Sequence, residues 1–107
     1  MTISIQDFSQ IDLRVAVITA AEEHPDADKL LVLKVDAGDG EKQLVAGIKT
    51  HYSVEELVGK KIIVVNNLTP AVLRGVESNG MLLAARDGDD VVLVTTDKDV
   101  GPGSRVQ

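Results

Sequence analysis

The chain has 107 residues, the size of one ordinary domain, and its apolar fraction of 44% is enough for a single core. It contains no cysteine, which excludes disulfides, thiolate zinc sites and a cysteine nucleophile. No apolar run approaches the ~20 residues of a membrane-spanning helix, and no basic segment followed by an apolar stretch opens the chain. We therefore expect one cytoplasmic domain over residues 1–107, without a signal peptide.

The formal net charge of −6 argues against a nucleic-acid partner, but the charge is unevenly distributed. Residues 1–28 contain six acidic side chains and one basic one, and residues 87–107 contain five acidic and two basic ones. Residues 29–86 contain eight basic and six acidic side chains. This central basic charge either binds an anionic partner or only keeps the surface solvated, and charge alone leaves both open.

A single helical turn is predicted near the start of the chain, where Ile5, Phe8 and Ile11 recur every third residue. Aliphatic and β-branched residues follow and predict three strands. These strands cover residues 13–22, 30–37 and 42–46. The segment Gly38-Asp39-Gly40 predicts a tight hairpin turn between the last two, because Asp-Gly adopts positive φ angles at little cost.

A short helix is predicted after the third strand. Ser53 and Glu56 have the spacing of a capping box, and Gly59 ends the helix after one or two turns. Further strands are predicted over residues 61–68, 81–86 and 91–95. A helix between the third and fourth strands of an all-β chain is the layout of the OB-fold, a five-stranded Greek-key barrel. Small β-sandwiches give similar patterns, so strand order by itself leaves both architectures open.

No set of catalytic residues emerges from the sequence. His24 and His51 are the only histidines, and because neither has a metal-ligand spacing we interpret both as turn or surface residues. Residues 75–80 have the glycine spacing of a phosphate loop, but Met81 stands where that loop needs a lysine. We therefore expect a binding module that is not an enzyme and uses no metal and no cofactor.

The aromatic content limits how such a module could bind nucleic acid. Single-strand binders stack bases on aromatic rings along a basic groove, and this chain has only Phe8 and Tyr52. A nucleic-acid partner would have to be recognised by backbone and shape, through Lys, Arg and amide groups. A folded RNA suits these groups better than a free strand.

Four segments carry a recognisable pattern: Asp12-Leu13-Arg14-Val15, His24-Pro25-Asp26-Ala27-Asp28-Lys29-Leu30, Asn67-Leu68-Thr69-Pro70 and Leu73-Arg74-Gly75-Val76-Glu77-Ser78-Asn79-Gly80-Met81-Leu82. Together they resemble the tRNA-binding OB domain family. This family occurs at the C-terminus of methionyl-tRNA synthetases, as a free-standing tRNA-binding protein and as a synthetase β subunit. The resemblance spans essentially the whole chain. It implies a homodimer of OB barrels that binds the outside of the tRNA elbow by shape, alone or with a methionyl-tRNA synthetase catalytic chain.

The resemblance also implies which residues bind tRNA. Lys29 and Arg74 look like phosphate contacts, and Lys49 is a further tRNA-binding candidate. The nucleotide pocket is implied to consist of Asn67, Ser78 and Met81. Ser78 would hydrogen bond the nucleotide and Met81 would pack against it. From the residues alone, Met81 also fits a core position and Ser78 a turn cap.

Two positions depart from the family pattern. Val72 stands where members often carry a lysine, and Ala46 where they often carry a serine. The loss of one phosphate contact should weaken binding and flatten its salt dependence. Two alternatives therefore stay open: a CsaA-like secretion chaperone that binds peptides in an apolar groove, and a dimerisation-only appendage of a synthetase. The intact Asp28-Lys29-Leu30 favours the tRNA-binding branch.

Overall fold

The computed structural model describes all residues from 1 to 107 and shows an all-β fold with two short helices. In chain order the elements are α1 (Ile5–Ser9), β1 (Leu13–Glu23), β2 (Leu31–Asp36), β3 (Glu41–Ala46), α2 (Val54–Leu57), β4 (Lys61–Val65), β5 (Ala71–Leu73), β6 (Val76–Ser78), β7 (Met81–Leu82), β8 (Ala84–Asp87), β9 (Asp90–Leu93) and β10 (Arg105–Val106). The main antiparallel sheet has the order β3–β2–β1–β4–β7, and β10 pairs with the start of β1. Two hairpins, β5–β6 and β8–β9, stand apart from it.

The long strand β1 allows this sheet to curl. Its first half pairs with β4 and its second half with β2, and the register with β2 shifts between Ile18 and Ala20. Such an irregularity bends a strand and increases its twist. The far edge of the sheet is then joined to the segment around β6, where the Asn79 N–H donates to the Gln43 carbonyl at 2.8 Å. The predicted OB-type barrel, with a short helix between the third and fourth strands, is confirmed.

The core lies inside the curled sheet and is almost entirely aliphatic. Its largest fully buried side chains are Ile18, Leu31, Leu33, Leu44, Leu57, Ile62, Val35 and Val64. All but one come from β1 to β4, the strands that the sequence predicted from their β-branched and aliphatic residues. The exception, Leu57, is the one buried residue of α2, so this helix covers the core through a single side chain.

The predicted strand limits differ from the structure in the second half of the chain. The strand predicted over residues 61–68 ends at Val65, because Asn66 and Asn67 turn their side chains toward the segment before β1. The strand predicted over residues 81–86 is divided into β7 and β8 at Leu83. The hairpin β5–β6 and the short strand β10 were not predicted at all.

Both helices begin at a capping box. The predicted box at Ser53 and Glu56 is confirmed, with the Glu56 N–H 3.3 Å from the Ser53 hydroxyl and the Ser53 N–H 2.9 Å from the Glu56 carboxylate. A second capping box, which was not predicted from the sequence, joins Ser4 and Asp7 at the start of α1. Neither helix is both long and apolar enough to cross a membrane.

Candidate nucleic-acid interface

A groove of ≈ 310 Å³ opens between the β5–β6 hairpin, β3 and β7. We call it the hairpin groove. It is lined by Val45, Leu68, Thr69, Ala71, Leu73, Ser78, Gly80 and Met81. Met81 is 50% exposed at this groove, so the interpretation of Met81 as a core residue is wrong. The mostly apolar lining suits a flat or aliphatic group that packs, with few polar atoms to hold it.

Ser78 lies at the buried side of the groove and is only 5% exposed. Its hydroxyl accepts a hydrogen bond from the Val45 N–H at 3.0 Å and donates one to the Gly80 carbonyl at 3.1 Å. The first bond joins β3 to the end of β6, across the junction that closes the barrel. The single hydroxyl proton is therefore used inside the protein, and only one acceptor lone pair is left for a ligand.

Gly80 is required where the chain passes from β6 to β7. Its φ of +122° lies in a region that residues with a side chain rarely adopt. A Cβ at this position would stand 3.0 Å from the Val65 carbonyl oxygen and 3.1 Å from a methyl of Leu44. The chain can thus pass this close to β4 and to the core only with glycine, and this passage sets the position of Met81.

Lys29, Lys49 and Arg74 meet at the loop of residues 24–30, which itself also contains Asp26 and Asp28. The side chain of Lys29 is exposed and makes no ion pair or hydrogen bond within the chain. The Lys49 N–H donates to the Lys29 carbonyl at 3.4 Å, which brings the turn at residues 48–52 against this loop. The Lys49 ammonium lies 3.3 Å from the Glu23 carboxylate, and an exposed ion pair of this kind is weak enough for a phosphate to replace.

Arg74 reaches the same loop from the other side. It is the first residue of the two-residue turn between β5 and β6, with φ of +53°, and Gly75 follows with φ of +86°. Two positive φ angles define the turn type that suits hairpins, but arginine is an unfavourable residue in the first position. The Arg74 guanidinium donates to the Asp26 carbonyl through Nε at 3.4 Å and Nη2 at 3.2 Å.

His24 connects the same two segments from inside the protein. It is only 4% exposed, so the prediction of a surface histidine is wrong, although it does begin a turn. Its Nδ1 accepts from the Asp26 N–H at 2.9 Å, and its Nε2 lies 2.9 Å from the Leu73 carbonyl. Because Nδ1 is an acceptor, the ring proton lies on Nε2 and is donated to Leu73. Only its place within the family-like segment hinted at a special role.

The side chain of Asn67 is directed away from the hairpin groove. Its Oδ1 accepts from the Asp12 N–H at 2.9 Å and its Nδ2 donates to the Gln10 carbonyl at 2.7 Å. The neighbouring Leu68 and Thr69 line the groove instead. The structure therefore brings Ser78 and Met81 together as the sequence predicted, whereas the amide of Asn67 holds the segment that leads into β1.

The pair Asp12 and Arg14 organises the end of the barrel next to this segment. The Arg14 Nε donates to the Asp12 carboxylate at 2.6 Å, and its Nη1 donates to the Gly103 carbonyl at 3.2 Å. The hydrogen bond from Arg14 lowers the pKa of Asp12 below its ordinary value, and the same bond raises the pKa of Arg14. This charge pair thus links β1 to the C-terminal loop, and its arginine is already paired within the chain.

Neither aromatic ring lines the hairpin groove. Phe8 belongs to α1 and lies beside Arg105 and Val106. Tyr52 packs on the core, and its hydroxyl accepts a hydrogen bond from the Leu93 N–H at 3.0 Å. Base stacking on aromatic rings is therefore not available at the groove, in line with recognition through backbone and shape.

Together, the barrel, its apolar groove and the cationic side chains that meet at the neighbouring loop define an OB-type binding domain. A family model described as "Putative tRNA binding domain" matches residues 13–105. The chain belongs to this tRNA-binding domain family, and the resemblance inferred from the four sequence segments is confirmed.

The relatives include parts of large synthetases and small proteins of similar length. The chain is 54% identical over 104 residues to the methionine–tRNA ligase of Thermotoga maritima, an alignment that covers 97% of this chain and 16% of the ligase. It matches the crystal structure of a MetRS-related protein from Pyrococcus horikoshii with a TM-score of 0.93 and 37% identity, over 100% of this chain and 99% of the other. The CsaA chaperone protein from Picrophilus torridus matches with a TM-score of 0.91 and 38% identity, over 99% and 100%.

Proposed function

We propose that this chain is a non-catalytic tRNA-binding module that reads phosphates and shape. The observation that carries the proposal is the convergence on loop 24–30. Lys29 belongs to this loop, the backbone of Lys49 is bonded to it, and the guanidinium of Arg74 reaches its Asp26 carbonyl. Three long cationic side chains thus border one loop, directly beside the hairpin groove, and long cations of this kind bind RNA phosphates.

The groove supports a second, apolar part of the contact. Met81 and the exposed Leu68 belong to its lining and could pack against one unstacked nucleotide or the sugar edge of a helix. Few polar groups in the lining are available to read a base edge, since the Ser78 proton is donated to Gly80 and only the Thr69 hydroxyl has no partner within the chain. Recognition of this type depends little on sequence, which suits a module that binds tRNA as a class.

A salt-dependent titration tests the proposal. Unfractionated tRNA, and a single-stranded RNA of equal length as the control, are titrated against the protein while fluorescence anisotropy is followed at several salt concentrations. If three cations contact phosphates, the log–log slope of affinity against salt should be about −2 to −3. Preferential binding to tRNA supports the proposal, whereas equal binding to both RNAs indicates only a general cationic surface and contradicts it.

We also propose that the chain acts together with a methionyl-tRNA synthetase. The chain spans between a seventh and a sixth of the length of the curated ligases it matches, so most of those proteins lies outside the matched segment. Residues 1–107 would form one domain, in the cytoplasm, that adds tRNA affinity without chemistry of its own. Adding it in trans or fused to a synthetase catalytic chain should lower the KM for tRNA and leave kcat unchanged.

A homodimer is the assembly we propose. Ile3, Ile5, Phe8 and Ile11 all expose apolar surface around α1, and three of them line a depression shared with the C-terminal strand. Monomers rarely leave such a group of large apolar side chains in contact with water. Light scattering should give the mass of a dimer at micromolar concentration, and Ile5→Glu should give a monomer. A monomeric wild-type chain would contradict the proposed homodimer but would not contradict the proposal that the chain binds tRNA.

One observation favours a second candidate, a CsaA-like module that binds peptides. The lining of the groove is mostly apolar, and the fold matches a CsaA chaperone structure with a TM-score of 0.91. An extended apolar peptide would fit the lining of the groove. Competition decides between the two: an apolar peptide that binds in the micromolar range while tRNA does not bind would favour the chaperone.

A further inference from the structure

A ring of hydrogen bonds joins the loop of residues 24–30 to the tip of the β5–β6 hairpin. We call it the polar clasp, and it consists of His24, Asp26, Leu73 and Arg74. The buried His24 ring accepts from the Asp26 N–H and donates to the Leu73 carbonyl, both at 2.9 Å. The next residue, Arg74, donates back to the Asp26 carbonyl. Two segments about 49 residues apart in sequence are thus joined twice, by the bond from His24 to Leu73 and by the bonds from Arg74 to Asp26.

The clasp leaves part of the Arg74 guanidinium free. A guanidinium has five N–H donors, and those on Nε and on one side of Nη2 are directed to the Asp26 carbonyl. Both N–H groups of Nη1 and one of Nη2 make no bond within the chain. The occupied edge therefore fixes the plane of the guanidinium, while the opposite edge is available for a bidentate contact to a phosphate.

The pairing of Leu73 with Val76 restrains the backbone of Arg74, but its side chain has no other support within the chain. Its φ of +53° is unfavourable for a residue with a Cβ, and the side chain is exposed. A flexible arginine loses much rotamer freedom when it binds a ligand, which lowers affinity. His24 is hydrogen bonded to the carbonyl of Leu73, which precedes Arg74. It is also bonded to the N–H of Asp26, the residue whose carbonyl accepts from Arg74.

We propose that His24 is a positioning residue for tRNA binding, which acts by aligning Arg74 for its phosphate contact. The inference rests on the proposed function and names a residue that never touches the RNA. The bond to Leu73 is the effective one, because it is the link that joins the loop to the hairpin. The bond to Asp26 shapes the loop locally.

Three substitutions separate the two bonds of the ring. His24→Gln places an amide N–H where Nε2 stands and keeps the donor to Leu73, whereas His24→Asn keeps an acceptor for the Asp26 N–H and cannot reach Leu73. His24→Ala removes both. Thr95→Ala is the control, since it removes one side-chain hydrogen bond, from the Thr95 hydroxyl to the Lys61 carbonyl at 2.7 Å, outside the proposed interface. All affinities are measured by tRNA anisotropy at a temperature where circular dichroism shows each variant folded.

We expect His24→Ala and His24→Asn to bind tRNA about tenfold more weakly, the effect of losing one ordering hydrogen bond, and His24→Gln and Thr95→Ala to stay within about twofold. The double variant His24→Ala/Arg74→Ala should bind no more weakly than Arg74→Ala. That absence of a further loss is the result that a merely structural histidine would not give. Additive losses, or an unaffected His24→Asn, would overturn the positioning role.

The failure of this inference differs from the failure of the proposed function. If the wild-type chain and Thr95→Ala both fail to bind tRNA, the proposed function is wrong. The clasp has its own readout in that case: a long-range ¹H–¹⁵N NMR spectrum of the free protein should show the His24 proton on Nε2 and none on Nδ1. The opposite tautomer would overturn the clasp whatever the RNA does.

Discussion

Replacing Ser78 with alanine tests whether this residue closes the barrel or contacts the ligand. The structure gives its hydroxyl two internal partners, the Val45 N–H at 3.0 Å and the Gly80 carbonyl at 3.1 Å. Ser78→Ala removes one oxygen and leaves the buried Val45 N–H without an acceptor. The Gly80 carbonyl loses its donor as well, although it lies closer to the surface.

The size of the effect follows from the burial of the Val45 amide. A buried donor left without a partner costs about 1–3 kcal/mol of unfolding free energy. For a domain of about 100 residues, a loss of this size lowers Tm by about 4–12 °C. The groove keeps its apolar lining, so the tRNA affinity of the folded variant should fall by less than about threefold, since only one lone pair of the hydroxyl is available to RNA.

Urea unfolding followed by circular dichroism measures the first quantity, and tRNA anisotropy well below the unfolding transition measures the second. Ser104→Ala is the matched control, because its hydroxyl makes only a local bond to the Gly101 carbonyl at 2.7 Å. A stability like that of the wild type together with a large loss of tRNA affinity would refute the closing role. That result would instead support the role implied by the family resemblance, in which Ser78 hydrogen bonds a nucleotide of the tRNA.

Three other perturbations address the groove, the end of the barrel and the hairpin turn. Gly80→Ala should destabilise the fold by about 1–3 kcal/mol in the same urea assay, because a Cβ at φ of +122° would press on the Val65 carbonyl. The hydrogen bond from Arg14 is the main cause that lowers the pKa of Asp12. The ionised Asp12 therefore contributes its full stabilisation above the ordinary pKa of 3.8, and this stabilisation is lost as the pH falls through the lowered pKa. Between pH 7 and pH 3, the urea midpoint of Asp12→Asn should fall less than that of the wild type. Arg74→Gly removes the strain of a left-handed conformation, about 1 kcal/mol, so Tm should be unchanged or higher. The tRNA affinity should fall about tenfold, and the salt slope should become shallower by about 0.7–0.9. A lower Tm with unchanged affinity would contradict the role of Arg74 as a phosphate contact.

The barrel itself was accessible from local sequence signals. Strands β1 to β4 are dense in β-branched and aliphatic residues, and the turn at Gly38-Asp39-Gly40 and the capping box at Ser53 act over two to four residues. These signals need no knowledge of the rest of the chain, so they survive in the folded protein. The β5–β6 hairpin was not predictable in this way, because its strands have only three residues and Arg74 stands at a turn position where glycine or asparagine is the usual signal.

The interface depended on contacts that no local pattern encodes. His24 is buried because Leu73, 49 residues away, supplies an acceptor for its ring. Asn67 lies in a family-like segment, yet its amide is used by Gln10 and Asp12. The resemblance could suggest that these positions matter, but only the packed chain shows which polar atoms are free and which already have partners inside the protein.

The central claim is that tRNA binds at loop 24–30 and the hairpin groove. The most direct measurement is an ¹H–¹⁵N NMR titration of the deuterated chain with tRNA, read residue by residue. We expect shifts or broadening confined to residues 24–30, 48–52 and 71–81, with the α1 and β8–β9 signals unmoved beyond the uniform effect of size. Perturbations centred on α1 or β8–β9, or none at RNA concentrations that saturate the anisotropy signal, would contradict the claim.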